Sequence, residues 1–225
     1  VETRVGVLVS KDASIRYKEK IKTYVSRGAQ KLLGALNFFP EVSLADKICL
    51  DFGASTGGFT QVILESNPPP YKIFAIDIGY GLLSQRLREN PLVEVKDRTN
   101  AKDINWKDLS IQIPKAIFVS SDLSFISLRI LIPVIESLFH DSERQSIQAL
   151  LLFKPQFEIS KDSAQNPDIL QKGIIVNQTT AFRELVQFCK FVKSNSSAKI
   201  KGIAKSPIKG TEGNTEYFVF LTWGK

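Results

Sequence analysis

Apolar positions along the chain follow two alternating spacings. From Tyr24 onward, Ala29, Leu32, Leu33, Leu36 and Phe39 recur every three or four residues, which marks one face of a helix, until Pro40 ends the run. Shorter β-type runs follow at residues 47–52, 72–77, 92–95, 116–119, 148–153, 199–204 and 216–222. Helical or turn segments at 58–66, 82–89, 127–139 and 179–192 separate most of them. Runs such as AIFV and ALLLF are continuously apolar, so their strands are expected to be buried on both faces. The pattern therefore predicts a doubly wound α/β domain with a mostly parallel seven-stranded sheet and helices on both faces. Only SPIKGTEGN separates the last two strands, which predicts an antiparallel C-terminal hairpin at the sheet's end.

Composition narrows this picture. At 225 residues, 43% of them hydrophobic and 24% charged, the chain is neither disordered nor fibrous and has the length of one domain, or of one domain plus a fragment of a second. Thirty Lys and Arg against 23 Asp and Glu leave a net charge of +7, which points to a polyanion such as nucleic acid or an acidic membrane surface. Cys49 and Cys189 both look like buried small hydrophobes, and two cysteines give neither a disulfide framework nor a metal-binding spacing. No apolar stretch reaches the roughly 18 residues of a spanning helix, and no secretory leader opens the sequence, so a soluble cytoplasmic protein is expected. The Asn177 and Asn195 glycosylation patterns carry little weight in that setting. The chain starts at Val1 and contains no Met, so a piece of a longer product is expected.

The chemistry concentrates at the first strand. LDFGASTGGFT, residues 50–60, leaves a buried strand and opens a helix, the place where such sheets bind ligands. Gly53, Gly57 and Gly58 allow a sharp turn and a ligand close to the main chain. The spacing is neither the dinucleotide G-x-G-x-x-G nor a phosphate loop. Asp51 precedes the first glycine, and a carboxylate there disfavours a pyrophosphate and favours a cationic, amine-bearing ligand such as S-adenosylmethionine. Asp77 ends the next strand in FAIDIGYG, where a carboxylate can accept bonds from both hydroxyls of a ribose.

Four further residues stand where this fold would gather them. Asp122 follows AIFVSS, Lys154 ends ALLLF, Glu216 starts the final strand and Lys31 lies on the first helix. Each has a simpler reading: a helix cap for Asp122, a snorkelling strand-end cation for Lys154, a solvated helix charge for Lys31 and a cross-strand ion pair for Glu216. Their surroundings, SRGAQKL, SSDLSFISL, LLLFKPQFE and SPIKGTEGNTE, are longer and more specific signals. Over residues 24–223 the sequence resembles the TlyA family, haemolysin-named proteins whose catalytic domain is like that of FtsJ-type RNA ribose methyltransferases. Departures from the family pattern occur at Ala29, Phe52, Thr211 and an inserted loop holding Pro68 to Pro70, none of them at the four charged positions.

That resemblance implies a Rossmann-like class I methyltransferase with Lys31, Asp122, Lys154 and Glu216 as the catalytic set. It implies S-adenosylmethionine contacts from Asp51, Gly53, Ala54, Ser55, Thr56, Gly57, Gly58 and Phe59, from Asp77 and Ile78, from Asp122, and from the Arg98 to Asn100 segment, Asn100 above all. It also implies that residues 1–23 are the remnant and linker of an N-terminal RNA-binding domain, with the methyltransferase spanning 24–225. The expected reaction is 2′-O-methylation of a ribose, of cytidine in the family, in ribosomal RNA or ribosomal subunits. Lys154 would accept the hydroxyl proton, because its apolar strand and a cationic donor favour the neutral amine; Asp122 would oppose that shift while orienting the amine, and Lys31 and Glu216 would place the ribose and its phosphate. RNA phosphates would meet Arg16, Lys18, Lys20, Lys22 and Arg27 before the domain and Lys201, Lys205 and Lys209 near its end. No metal is expected. The competing reading is a cytolytic, membrane-active protein, for which the positive charge and the apolar segment 127–139 speak.

Overall fold

The computed structural model describes residues 23–109, 116–140, 146–160, 165–166 and 169–224. Strand β1 (Ile48–Phe52) is buried at every position, and that burial follows from its place in the sheet. It lies between β2 (Lys72–Ile76) and β4 (Ala116–Ser121), parallel to both. β3 (Val93–Lys96) extends the sheet beyond β2, and β5 (Ser146–Phe153) extends it beyond β4, again in parallel. β9 (Tyr217–Trp223) then pairs antiparallel with β5, and β8 (Lys199–Lys205) pairs antiparallel with β9, giving the order β3-β2-β1-β4-β5-β9-β8. The predicted seven-stranded sheet and its terminal hairpin are both present. Chain direction across the sheet reverses between β1 and β4, so the ends of Phe52 and Ser121 form the crevice where such sheets bind ligands.

Alternation along the strands divides the core into two layers. On one face Leu50, Phe74, Val119 and Leu151 pack under α5 (Leu131–His140) and α6 (Gln178–Asn195). On the other, Cys49, Ile73, Phe118 and Leu150 pack under α1 (Gly28–Phe38) and α2 (Gly58–Leu64). Full burial of each such Leu, Ile or Phe contributes about 1.5–3 kcal/mol, so the sheet and its two helix layers hold each other in register. α6 starts at Asn177, whose side chain accepts from the Thr179 amide at 2.8 Å, so this glycosylation-pattern asparagine serves as a helix cap.

Several expected elements differ in detail. Segment 82–89 supplies only the short helix α3 (Gln85–Arg88), and 127–139 divides into a 3-10 turn (Leu128–Ile130) and α5. A short helix α4 (Trp106–Leu109) and a two-stranded hairpin, β6 (Leu170–Gln171) with β7 (Ile174–Ile175), carry no periodic signal because they are too short. Cys49 is fully buried, but Cys189 is only partly so, which corrects the expectation for the second cysteine. Among the described residues no helix is long and apolar enough to cross a membrane.

Candidate active site

The turn after β1 forms the floor of the crevice. The Gly53 and Ala54 amides both donate to the Ile76 carbonyl, at 2.9 and 3.2 Å, and the Asp122 amide donates to Phe52 O at 3.0 Å, so three strand ends are tied together. Gly53 has φ +80°, and a β-carbon there would lie 3.0 Å from Asp122 O. Gly57 opens α2 at φ +102° with Leu87 pressed against it. Glycine is required at both places by conformation and by close approach.

Two cavities of about 520 and 300 Å³ open above this turn and share Gly53, Ser55, Asp122, Ser124 and Phe125. Asp77, Ile78 and Asn100 line the smaller one; Ala54, Thr56, Gly58 and Phe59 line the larger. Asp77 accepts from the Ser55 amide at 2.8 Å and from the Gly79 amide at 2.7 Å, one bond to each oxygen. A carboxylate has about four acceptor positions, so Asp77 keeps capacity for a further pair of donors.

Asp51 is placed differently from the expectation. It is fully buried, accepts from Thr60 Oγ1 at 2.6 Å and Ser120 Oγ at 2.8 Å, and lines neither cavity, as Gly57 also does not. Burial pushes its carboxyl up to about 6 against the pull of these two bonds. Burial away from both cavities, with a hydroxyl on each oxygen, makes it a brace of β1, β4 and α2 beneath the turn.

Above the turn, four charged side chains form one line. Glu216 Oε2 lies 2.7 Å from Lys31 Nζ, Lys31 Nζ lies 3.7 Å from Asp122 Oδ2, and Asp122 Oδ1 lies 2.6 Å from Lys154 Nζ. Lys154 also donates to Ser124 Oγ at 2.8 Å. Lys31, Lys154 and Glu216 are only 9%, 7% and 3% exposed. The simpler readings of Lys31 as a solvated charge and of Glu216 as a cross-strand pair therefore do not hold; each is the other's buried partner. Buried ion pairs cost several kcal/mol per ion in desolvation and seldom stabilise a fold more than an apolar pair would. Three pairs in one line, joining three buried groups and the half-buried Asp122, supplied by α1 and by the ends of β4, β5 and β9 and lining the larger cavity, are an arrangement for binding or chemistry.

Sequence reasoning missed some supports of this line. Ser124 is one. Asn214 is another: buried in the GTEGN loop, it accepts from the Ile175 amide at 2.9 Å and donates to Gly173 O at 2.7 Å, which anchors the approach to Glu216 on the β6–β7 hairpin. Of the basic residues, Arg16, Lys18, Lys20 and Lys22 lie outside the described residues. Arg27 stands in the wall of the larger cavity, 3.5 Å from Thr211 Oγ1. Lys205 and Lys209 are exposed near the strand end that faces the site, whereas Lys201 sits farther along the exposed edge of β8, where a lysine also discourages strand pairing. Among the described residues no three His, Cys, Asp or Glu side chains are grouped to hold a metal ion.

The sequence pattern of a family described as FtsJ-like methyltransferase matches residues 24–223. The chain belongs to that family. This methyltransferase is 34% identical over 200 residues to the 16S/23S rRNA (cytidine-2′-O)-methyltransferase TlyA of Mycobacterium tuberculosis, a match covering 89% of this chain and 69% of the relative. It is 38% identical over 210 residues to Hemolysin A of Brachyspira hyodysenteriae, covering 91% and 78%. A crystal structure from Lactococcus lactis, of a protein named as a hemolysin, superposes with a TM-score of 0.76 at 33% identity over 88% of both chains. The methyltransferase thus shares its fold and its TlyA kinship with proteins that carry two different kinds of name.

Proposed function

We propose that the protein transfers a methyl group from S-adenosylmethionine to a ribose 2′-hydroxyl of ribosomal RNA. The observation that carries this reading is the largely buried Glu216–Lys31–Asp122–Lys154 line, with Asp122 half-buried, at the crevice beside the glycine turn. The smaller cavity suits the donor's nucleoside: Asp77 has acceptors to spare for a ribose diol, Asn100 adds a polar group, and Ile78, Leu82 and Leu123 offer apolar walls for a base. The seam at Gly53 and Asp122 leads from there into the larger cavity, which has room for the amino-acid tail and for an acceptor ribose. S-adenosylmethionine supplies an electrophilic methyl carbon on a sulfonium centre whose departure as a neutral thioether needs no acid.

A ribose hydroxyl is a weak nucleophile, so the enzyme has to position it and take its proton. In its unprotonated form Lys154 accepts that proton at Nζ, and the contacts to Asp122 Oδ1 and Ser124 Oγ set the direction of the amine. Lys31, held by Glu216, faces the ribose and its phosphate. Asp51, Ala54, Thr56, Gly57, Gly58 and Phe59 shape or brace the donor site. Arg27, Lys205 and Lys209, with Arg16, Lys18, Lys20, Lys22 and Lys201, attract the RNA backbone.

Kinship with a relative named for cytidine 2′-O-methylation in 16S and 23S rRNA extends the proposal to cytidine. An rRNA substrate in turn implies work in the cytoplasm, and residues 1–23 are read as the end of an RNA-binding domain joined to the methyltransferase at 24–225. Incubating the protein with methyl-labelled S-adenosylmethionine and ribosomal subunits lacking the modification tests the reading. Label in a 2′-O-methylated nucleoside of the RNA supports it, and label on a base, or none in RNA with both subunits, removes it.

A further inference from the structure

β4 and β5 pair in register as far as Ser121 and Leu151, and beyond those ends no sheet ladder holds the two chains together. Yet Asp122, Ser124 and Phe125, which line both cavities, leave one strand, and Lys154, which lines the larger, leaves the other. Lys154 itself reaches across to Asp122 and Ser124, and a second buried side chain spans the gap farther along. Glu158, 4% exposed, follows the 3-10 turn Pro155–Phe157 that Lys154 begins. Its Oε2 accepts from Ser127 Oγ at 2.6 Å and its Oε1 accepts from the Leu128 amide at 2.6 Å. Arg129 closes the clasp from outside, with Nη1 3.6 Å from Oε2 and donating to the Glu158 carbonyl at 3.3 Å. Ser127 in turn accepts from the Arg129 amide at 3.1 Å, so the carboxylate caps the very turn that ends the Asp122 segment.

Between the clasp and Asp122 the segment is under tension. Phe125 has φ +68°, a left-handed conformation that costs a bulky residue of order 1–3 kcal/mol, and it stands 86% exposed at the mouth, its ring 5.2 Å from that of Phe157. Such a backbone persists only where its surroundings determine it. Burial also pushes the Glu158 carboxyl above its ordinary range, a cost that an apolar side chain would avoid.

We infer that Glu158 is a positioning residue for methyl transfer: by clasping Ser127 and Leu128 it fixes the segment 122–127 against the 154–158 turn, and so sets where Ser124 and Asp122 meet Lys154. The inference rests on the proposed methyl transfer, and it acts through Lys154 rather than by contact with substrate.

Glu158→Gln keeps the size of the side chain, an acceptor for the Leu128 amide and a donor for Ser127 Oγ; Glu158→Ala removes the clasp. Three quantities decide: turnover at saturating donor and RNA, donor affinity by calorimetry, and amide hydrogen exchange across residues 123–127. Glu158→Ala is expected to lower kcat about a hundredfold, to leave donor Kd near the parent value and to speed exchange in 123–127 while β1, β4 and β5 stay protected. Glu158→Gln is expected to restore most of kcat. Should Glu158→Ala fail to fold, Ser127→Ala removes one clasp bond, together with the bond from the Arg129 amide, keeps the Leu128 bond to Glu158, and should give the same pattern in weaker form. Parent-like turnover in the Ala variants, or a uniform rise in exchange with donor affinity falling alongside kcat and no rescue by Gln, overturns the inference. If the parent protein itself methylates no RNA, the proposed reaction fails, and the exchange experiment still decides: unchanged protection of 123–127 in Glu158→Ala overturns the clasp.

Discussion

Lys154 Nζ and Asp122 Oδ1 lie 2.6 Å apart at the ends of two neighbouring parallel strands. Strand pairing brings their backbones close, and the side chains then meet directly beside the glycine turn. Replacing Lys154 by Ala takes away the proposed proton acceptor and leaves the smaller cavity intact, since that residue lines only the larger one. General-base groups contribute about 10²–10⁴-fold, so kcat should drop by about that factor with donor affinity little changed. Steady-state kinetics paired with calorimetry separates the two effects, and parent-like turnover in this variant contradicts the role.

Asp77 should behave in the opposite way. Its carboxylate holds Ser55 and Gly79 and faces the smaller cavity, so Asp77→Ala removes donor contacts as well as shaping the turn. Bonds to a charged acceptor contribute about 1.5–3 kcal/mol, which corresponds to roughly 10–100-fold in Kd. Calorimetric titration with S-adenosylmethionine reads this directly; an unchanged Kd would remove Asp77 from the donor site.

Asp51 makes stability depend on pH. Its folded carboxyl is pushed up to about 6 by burial, whereas an unfolded Asp titrates near 3.9. Between those values the folded state holds a proton that the unfolded state has released, so the contribution of Asp51 to stability falls as pH rises from about 4 to about 6 and is constant above. The size is about 3 kcal/mol at 1.36 kcal/mol per unit. Asp51→Asn should abolish this slope. Chemical unfolding of both proteins across pH 4 to 7 should therefore show the variant gaining on the parent up to about pH 6 and then running parallel; curves parallel throughout would show that Asp51 does not titrate there.

Binding of an rRNA fragment should weaken steeply with salt. For contacts to RNA phosphates the slope of log K against log salt becomes shallower by about one unit for each lost contact. Arg27→Ala and Lys209→Ala should each lower it by about that amount, as Arg27 stands in the cavity wall and Lys209 is exposed in the loop leading to Glu216. Lys201→Ala, farther along β8, should change it less. Equal slopes in all three variants would mean that RNA approaches from another side.

Much of this architecture is legible in the sequence, for identifiable reasons. The glycine turn and Asp77 are local signals, with spacing and strand position in one short stretch, and they lie where the pattern placed them, at the ends of β1 and β2. The sheet was readable because ALLLF and AIFV can be apolar throughout only if both faces are covered. Lys31 and Glu216 are different. They stand far apart in sequence, each looks like an ordinary surface charge, and only the family resemblance joined them; the 2.7 Å pair forms through the packing of α1 against the end of β9. The partners of Asp51 carry no sequence signal, because apolar neighbours announce burial without saying who satisfies the carboxylate, and Thr60 and Ser120 come from a helix and a strand that meet only in the fold. Ser124 and Glu158 escaped for the same reason, since a clasp between two loops leaves no period in the chain.

Methyl transfer to a ribose oxygen is read most plainly on ribosomal subunits lacking the modification, incubated with methyl-labelled S-adenosylmethionine and then digested to nucleosides. Label is expected in a 2′-O-methylated nucleoside, cytidine by kinship, and is expected to vanish when Lys154→Ala replaces the parent protein. Label on a base, or none in RNA from either subunit while the protein binds the donor, would rule out ribose methylation.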